Sequence, residues 1–236
     1  MKTLWWGVVG TALFAFAGVA ASCARQAPAP PVDFTDSLTG PASPHLAIPF
    51  HAYALTPEGL LRSHADPAGN SGHDRPLVRT RSGDYLSRDF IFEIDVMMPP
   101  GTEDIAFVGF GLGEPNPAFY MEPAGAFMFR IHGLSDADGV DVAAALPPRP
   151  QRAGGGSPVH ARLQKIGTYP SGAKTTFRIE HGDNRVTLSM PGQAGAAHTF
   201  ELSSFPDLFG RGEAYLFFGN STEGAVFSSV RVRPRG

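Results

Sequence analysis

Beyond residue 50, apolar and polar residues mostly alternate along the chain, with short clusters of turn-forming residues between the alternating segments. A period of two is typical of β-strands, because successive side chains of a strand point to opposite faces of a sheet. The sequence shows neither a long apolar stripe at helical spacing nor a repeat of fixed period, so the pattern predicts an all-β protein. The predicted strands are residues 50–55, 60–64, 77–81, 85–98, 104–112, 126–132, 160–166, 174–181, 184–190, 199–202, 213–219 and 225–232.

Three other segments have a distinct local pattern. Residues 182–184 (Gly-Asp-Asn) lie between two alternating segments and predict a β-hairpin, since these residue types tolerate positive φ. Residues 203–209 predict one short turn of helix that ends at Gly210. Residues 136–157 contain several prolines and a run of three glycines, and they predict an exposed loop.

Two of the predicted strands divide their residues between a core face and a polar face. In the strand that contains Glu93 and Asp95, the alternate positions are occupied by Phe, Ile and Val. In the strand that contains Arg130 and His132, the alternate positions are Phe and Ile. Because alternate residues share a face, these four polar side chains are expected to point away from the core.

The composition indicates a sizeable core and excludes several classes of protein. The 236 residues include 18 Phe, which must be buried to stabilise a fold. The net charge is −3 and the charges are intermixed, so the sequence predicts no nucleic-acid binding. A single Cys excludes internal disulfides and cysteine-based zinc sites. With so many short strands, the chain predicts a single antiparallel two-sheet sandwich, or jelly roll, over residues 33–236.

Residues 1–22 have the pattern of an export signal. Lys2 precedes an uncharged, mostly apolar segment, and small residues close it. The only cysteine, Cys23, follows directly. Residues 19–23 resemble the lipobox of bacterial lipoproteins, in which this cysteine is lipidated and becomes the new N-terminus.

Two alternatives to lipidation remain open. Ordinary cleavage at the small residues would give a secreted protein, and an uncleaved apolar segment would serve as a membrane anchor. All three alternatives place the folded part outside the cytoplasm, and lipidation of Cys23 anchors it to a membrane of the bacterial cell envelope. The proline-rich residues 23–32 then predict an extended tether.

Five segments carry a family resemblance. Residues 33–36 resemble a first strand, 58–61 a Gly-x-Leu strand, 85–96 a long central strand, and 212–216 and 225–232 a closing pair of strands. In this order they are similar to the concanavalin A-like lectin/glucanase superfamily, especially its laminin-G-like and sugar-hydrolase-associated bacterial modules. The resemblance implies two curved antiparallel sheets that often bind carbohydrate on the concave face or its rim. It implies no single activity, because one fold serves many functions.

Glu93 and Asp95 are the candidate catalytic carboxylates. Alternate residues of a strand lie ~6.5–7 Å apart, and glycosidases place two carboxyls about 5–5.5 or 6.5–9.5 Å apart. The Glu-x-Asp pattern resembles the catalytic strand of the superfamily's glucanases, but the third acidic position of that strand is Met97 here. Solvated charges on a sheet face and a sugar-binding role are the alternatives.

Arg130 and His132 would join this pair in a binding cleft if the two strands were neighbours in one sheet, with His132 as a further catalytic candidate.

Two acidic segments are candidate calcium sites. Asp136, Asp138 and Asp141 surround a glycine in a flexible acidic pattern, although the EF-hand spacing is absent. Asp33 and Asp36 are the alternative, because the resemblance implies calcium between the first and last strands. An ordinary polar turn is the simpler interpretation of the first segment. No other cofactor is expected.

The sequence therefore favours a tethered, extracytoplasmic module that binds a glycan or an envelope protein and has no catalytic activity. Two alternatives remain open. One is a glycoside-cleaving enzyme that uses Glu93 and Asp95, and the other is a structural envelope lipoprotein.

Overall fold

A computed structural model describes residues 33–41, 43–62, 77–102, 104–114, 124–133, 139–145, 163–205, 212–221 and 223–236. The predicted export signal, the lipidated Cys23 and the tether lie outside these residues and stay predictions. Within these ranges, no helix is both long enough and apolar enough to cross a membrane.

Strands dominate the described residues. The strands are β1 (Phe34–Asp36), β2 (Leu46–Ala47), β3 (Tyr53–Thr56), β4 (Gly59–Arg62), β5 (Val78–Thr80), β6 (Phe90–Met97), β7 (Ile105–Glu114), β8 (Ala124–Gly133), β9 (Gly139–Ala145), β10 (Leu163–Pro170), β11 (Lys174–Gly182), β12 (Arg185–Ser189), β13 (Ala197–Glu201), β14 (Tyr215–Asn220) and β15 (Val226–Pro234). Two short 3-10 helices, Tyr85–Ser87 and Leu202–Ser204, are the helical elements of the described ranges.

The strands form two sheets, and every strand pairing is antiparallel. Sheet A has the order β13-β12-β11-β6-β15-β4-β3, with β1 paired to β15. Sheet B has the order β10-β9-β8-β7-β14-β5-β2. This arrangement confirms the predicted all-β, antiparallel two-sheet sandwich of the jelly-roll type.

The core lies between the inward faces of the two sheets. Phenylalanines of the central strands meet there across the sheets, each pair with ring centroids about 5 Å apart. Each fully buried phenylalanine stabilises the fold by about 1.5–3 kcal/mol, and an aromatic pair adds ~0.5–1.5 kcal/mol. The cross-sheet pairs are Phe90–Phe110, Phe129–Phe177 and Phe218–Phe227. The prediction that Phe residues occupy the core faces is confirmed at these positions.

The loop predicted for residues 136–157 is wrong in its first part, because β9 occupies Gly139–Ala145. Val140, Val142 and Ala144 of this strand are buried in the core, and β9 pairs with both β8 and β10. The alternation was present in the sequence, but the prolines and glycines that follow it concealed the strand.

Several boundaries also differ from the predictions, and two of these differences involve short helices. The strand predicted from residue 85 begins at Phe90, because Tyr85–Ser87 form a 3-10 helix whose Tyr85 is buried. The helical turn predicted at 203–209 begins one residue earlier, as the 3-10 helix Leu202–Ser204, and residues 206–210 lie outside the described ranges.

The predicted hairpin is confirmed. Strands β11 and β12 are joined through Asp183 and Asn184, which have φ values of 52° and 59°. Positive φ at both central residues is the requirement of a tight two-residue turn whose twist matches that of the strands. This turn fixes the register in which polar side chains from the two strands share the outward face of sheet A.

Candidate functional site

The outward face of sheet A carries rows of charged side chains at its centre. Glu93 of β6 is directly opposite Arg178 of β11 and Arg231 of β15 in the register. Nε and Nη2 of Arg178 lie 2.7 and 2.6 Å from Oε1 of Glu93, and Nη1 of Arg231 lies 3.9 Å from Oε2. The Glu93 side chain is only 12% exposed. Its carboxylate is therefore held between two guanidinium groups.

Asp95 lies one row further along the same face and is bound in a similar way. Its Oδ1 accepts a hydrogen bond of 2.7 Å from the hydroxyl of Thr176 on β11. The third position of this face, Met97, offers no ionisable group. Glu93 and Asp95 thus have local partners that suit cross-strand stabilisation.

Arg130 and His132 lie on the other sheet. They belong to β8, an interior strand of sheet B, and their neighbours Phe129 and Ile131 point into the core. The condition for a four-residue cleft was that β6 and β8 be neighbours in one sheet, and it is not met. Since each pair points outward from its own sheet, Glu93 and Asp95 are on the opposite side of the sandwich from Arg130 and His132. The proposed grouping of these four residues is therefore wrong.

A third polar residue joins Arg130 and His132 on the outward face of sheet B. Asp141 of β9 is directly opposite His132 in the register. Its Oδ1 accepts a hydrogen bond of 2.9 Å from Nζ of Lys165 on β10. These four side chains, which we call the β8–β10 polar cluster, supply hydrogen-bond donors and acceptors side by side.

The geometry gives no support to calcium at Asp141. This carboxylate is paired with an ammonium group, and Asp136 and Asp138 lie outside the described residues. Asp33 is exposed, and Oδ1 of Asp36 accepts a hydrogen bond of 2.7 Å from the backbone N–H of Leu38. No group of three or more His, Cys, Asp and Glu able to hold a metal occurs among the residues that the structure describes.

Beside the polar cluster, the outward face of sheet B carries a second apolar cluster. It is separate from the core between the sheets, although its members are almost fully buried. Phe217 of β14 is directly opposite Gly109 of β7, and a Cβ at Gly109 would overlap the Phe217 ring. The glycine therefore allows the ring to lie across β7. The cluster comprises Ile105, Phe107, Ala126, Met128, Ala145 and Phe217.

At the far end of this face, Tyr215 and Arg79 form a pair that sequence reasoning missed. The Arg79 guanidinium lies 4.9 Å from the centroid of the Tyr215 ring, a cation–π distance. The Tyr215 hydroxyl donates a hydrogen bond of 3.3 Å to the Glu213 carboxylate. Burial raises the pKa of Tyr215, and Glu213 raises it further, so the hydroxyl remains a donor at neutral pH. The alternation of residues 215–218 could have placed Tyr215 outward, but only the β14–β5 pairing places Arg79 beside it.

Aromatic side chains near loops can stack on sugar rings, and the sequence offers residues 119, 120, 169 and 205 as candidates of this kind. Tyr169 is buried in the core against Phe177, and Phe205 packs against Phe127. Residues 119 and 120 lie outside the described ranges. Of these aromatics, Tyr169 and Phe205 therefore serve packing.

A buried carboxyl immediately before the start of β7 has a structural role. Asp104 is 1% exposed, and its oxygens accept hydrogen bonds from the N–H groups of Ile105 and Ala225, from the Ser221 hydroxyl and from the Asn220 amide. Donors that point at both oxygens leave no place for a cation. We call this arrangement the Asp104 network, and it joins the ends of β7 and β14 to the start of β15.

A small cavity lies on the outward face of sheet A beside the β11–β12 hairpin. Its volume is about 180 Å³. Polar side chains and one glycine surround it: Glu180, Gly182, Asp183, Arg185, Thr187, Thr199 and Arg235. We call it the hairpin pocket.

Comparisons with known proteins relate the chain to others through its fold. No protein-family model matches the sequence, and no curated protein matches it significantly. The carbohydrate recognition domain of Emp47p superposes with a TM-score of 0.55 at 10% identity, over 85% of this chain and 95% of that chain. The Crh5 transglycosylase in complex with NAG superposes with a TM-score of 0.53 at 13% identity, over 88% and 86%. An alginate lyase from Pseudomonas aeruginosa gives a TM-score of 0.48 at 19% identity, over 78% and 86%.

At 10% and 13% identity, the superpositions with the Emp47p domain and the Crh5 complex show a shared fold. The chain has the concanavalin A-like sandwich fold that the order of its strand motifs predicted. Because one fold serves many functions, the function of this chain depends on the side chains that its two sheets carry on their outward faces.

Proposed function

We propose that this chain is a carbohydrate-binding β-sandwich module that uses the outward face of sheet B. The observation that carries the proposal is the β8–β10 polar cluster, in which Arg130, His132, Asp141 and Lys165 share the outward face of sheet B. In small-molecule sites, a few convergent polar groups fix the orientation of the ligand and provide specificity.

The chemistry of the polar cluster suits sugar hydroxyls. A hydroxyl is both a donor and an acceptor, so its binding site needs groups of both kinds. Arg130 and Lys165 donate, Asp141 accepts, and the His132 ring can do either. Further along the same face, Tyr215 adds a partly exposed ring and a hydroxyl donor. The Emp47p carbohydrate recognition domain and the Crh5 complex with NAG share this fold, which supports a carbohydrate as the ligand.

We propose binding in preference to cleavage. A catalytic acid in a glycosidase must reach the glycosidic oxygen, yet both oxygens of Glu93 face arginines. The sheet A pair is therefore a poor acid–base couple.

The module would act outside the cytoplasm. In this proposal, Cys23 is lipidated, residues 23–32 hold the sandwich near a membrane of the cell envelope, and the partner is an extracytoplasmic glycan. An envelope protein that binds the same face is the alternative partner.

Retention of the protein on insoluble polysaccharides tests the proposed face. Wild type and the Arg130→Ala/His132→Ala double variant are applied to cellulose, chitin and curdlan, with released reducing sugar measured in parallel. Wild type is expected to be retained on at least one of them, and the variant to lose at least ten-fold in affinity, about 1.4 kcal/mol or more.

Arg231→Ala is the matched control, because this arginine lies on the outward face of sheet A. It should bind as wild type does. Equal retention of the double variant and wild type would refute the site. Release of sugar that is lost in Glu93→Gln would instead establish the glycoside-cleaving alternative.

A further inference from the structure

The hairpin pocket is built by the registers of three strands. Thr187 of β12 is directly opposite both Glu180 of β11 and Thr199 of β13, so these side chains form one row on the outward face of sheet A. The hydroxyls of Thr187 and Thr199 lie 2.9 Å apart. Two residue pairs nearer to the turn, Arg185 is opposite Gly182. The hydroxyls of Thr187 and Thr199 therefore form the floor of the pocket, and charged side chains lie around it.

The C-terminal segment closes the pocket. Nη1 of Arg235 lies 2.8 Å from Oδ2 of Asp183, at the tip of the hairpin. Gly182 has a φ of 159°, and a Cβ at this position would overlap the Arg235 guanidinium. The glycine thus lets Arg235 pack against the hairpin backbone, which brings a second arginine to the pocket.

The charges around the pocket balance. Two carboxylates, Glu180 and Asp183, and two guanidinium groups, Arg185 and Arg235, line it. Each arginine already has an acidic partner, since Nε of Arg185 lies 2.7 Å from Oε1 of Glu201. An anion would meet the two carboxylates, and a cation would meet the two arginines. A neutral ligand that both donates and accepts hydrogen bonds meets no repulsion.

We propose that the hairpin pocket binds a neutral, hydroxyl-rich ring, namely one monosaccharide unit of a glycan. The inference rests on the proposed function in so far as that function brings glycans to the protein, but the site is a second one, on the opposite sheet. Hydroxyls of the sugar would donate hydrogen bonds to the carboxylates of the pocket and accept them from its guanidinium groups. The hydroxyls of the two threonines can do either.

The size of the pocket sets the size of the ligand. A volume of about 180 Å³ is below the ~300–1,000 Å³ of sites for drug-sized ligands. The pocket therefore fits one ring and not a chain. Its lining offers no aromatic surface, so the affinity should be weak, on the order of 1 mM.

Ligand-observed saturation-transfer NMR on the full-length chain tests this site. The probes are methyl β-D-glucoside, methyl β-D-galactoside and methyl N-acetyl-β-D-glucosaminide, with acetate and methylammonium as charged comparisons. At least one glycoside should receive saturation from wild type, and neither ion should. The Thr187→Val/Thr199→Val variant, which removes the two floor hydroxyls while keeping β-branched side chains, should lower the glycoside signal at least five-fold.

Thr176→Val is the matched control. It makes the same change on the same face, next to Asp95 and outside the pocket. Its signal should equal that of wild type. Saturation of acetate or methylammonium that depends on the two threonines would overturn the neutral-ligand inference. An equal glycoside signal in wild type and the floor variant would overturn the site.

The experiment separates this inference from the proposed function. If only the hairpin pocket fails, retention on polysaccharides still depends on Arg130 and His132. If only the sheet B site fails, polysaccharide retention is insensitive to those two residues, while the glycoside signal still depends on Thr187 and Thr199.

Discussion

His181 is a buried histidine at the end of β11, and it is 5% exposed. Its ring lies 5.4 Å from the ring of Phe90 and 5.2 Å from that of Phe110, measured between centroids. Nδ1 is 2.6 Å from the backbone oxygen of Arg88. Because a carbonyl can only accept, Nδ1 carries the proton of the neutral ring. Burial lowers the pKa of His181 and outweighs the opposing effects of the Arg88 carbonyl and Asp89, while Arg235 adds a still smaller lowering.

This histidine predicts a loss of stability in mild acid. In the unfolded chain its pKa is near 6.5, so below that pH the unfolded state binds a proton that the folded state resists. The free energy of unfolding should therefore fall as the pH falls below about 6.5, by up to ~1.4 kcal/mol per pH unit from this group.

Urea denaturation between pH 8 and pH 5 measures the effect. His181→Asn keeps an N–H near the Arg88 carbonyl but cannot titrate in this range, so its stability should fall less steeply below pH 6.5. Above pH 7.5 the two proteins should show parallel profiles. Identical slopes below pH 6.5 would exclude His181 as the source.

For single residues, the sequence predicted the direction of a side chain but not its partners. Alternation correctly placed Glu93 and Arg130 on outward faces, because the direction of a side chain follows from its own strand. The arginines that hold Glu93, Arg178 and Arg231, lie far from it in the chain. Such partners are fixed by strand pairing, on which a local pattern carries no information.

At the scale of elements, the Asp104 network connects strands of both sheets. Asn220 receives a hydrogen bond of 2.5 Å on its backbone oxygen from Arg62 of β4. Its side-chain oxygen accepts a bond of 3.3 Å from the Tyr53 hydroxyl on β3. Burial raises the pKa of Tyr53 to about 12, so this hydroxyl stays protonated. Through these bonds, β7 and β14 of sheet B are tied to β3 and β4 of sheet A.

Asp104→Ala should destabilise the protein strongly. The change leaves the Asn220 amide and the N–H groups of Ile105 and Ala225 without their buried acceptor, at about 1–3 kcal/mol for each donor that finds no other partner. We expect a total loss of ~3–5 kcal/mol in the free energy of unfolding, by urea titration.

Asp141→Ala is the comparison, because its ion pair with Lys165 is exposed. That pair should contribute less than about 1 kcal/mol. Similar losses for the two variants would show that the buried oxygens of Asp104 are dispensable.

The positions of strands in the sequence were easier to predict than the pairing between strands. Alternation located β6, β8 and the β11–β12 hairpin, and it missed β9 because the prolines after residue 145 resembled a loop. It could not assign β6 to one sheet and β8 to the other, since that depends on which strands pair across long stretches of chain. The predicted four-residue cleft failed for this reason.

At the scale of the whole molecule, the sandwich has two outward faces with different chemistry. Sheet A presents paired charges and the hairpin pocket, while sheet B presents the β8–β10 polar cluster beside an apolar cluster that is almost fully buried. The fold class was predictable because many short alternating segments with few helical signals admit few other architectures. Which side chains come together on each outward face depends on the pairing and register of the strands.

Attachment to a membrane is a prediction for the molecule as a whole. If Cys23 is lipidated, cells that express the protein and are fed labelled palmitate should yield a labelled protein in the membrane fraction. Cys23→Ser should lose the label and its membrane retention. Unchanged retention of the variant would favour an uncleaved apolar anchor, and release of unlabelled wild type into the medium would favour a secreted protein.

The Asp104 network has a consequence for producing this protein in hosts that glycosylate. Asn220, Ser221 and Thr222 form an N-glycosylation sequon. The acceptor nitrogen of Asn220 donates a 2.7 Å hydrogen bond to Asp104, and the residue is 1% exposed. A sugar can therefore be attached only before the strands close around it, and a chain modified in this way could not form the native bond. In a eukaryotic secretory pathway, glycosylation and correct folding of this chain would be mutually exclusive outcomes.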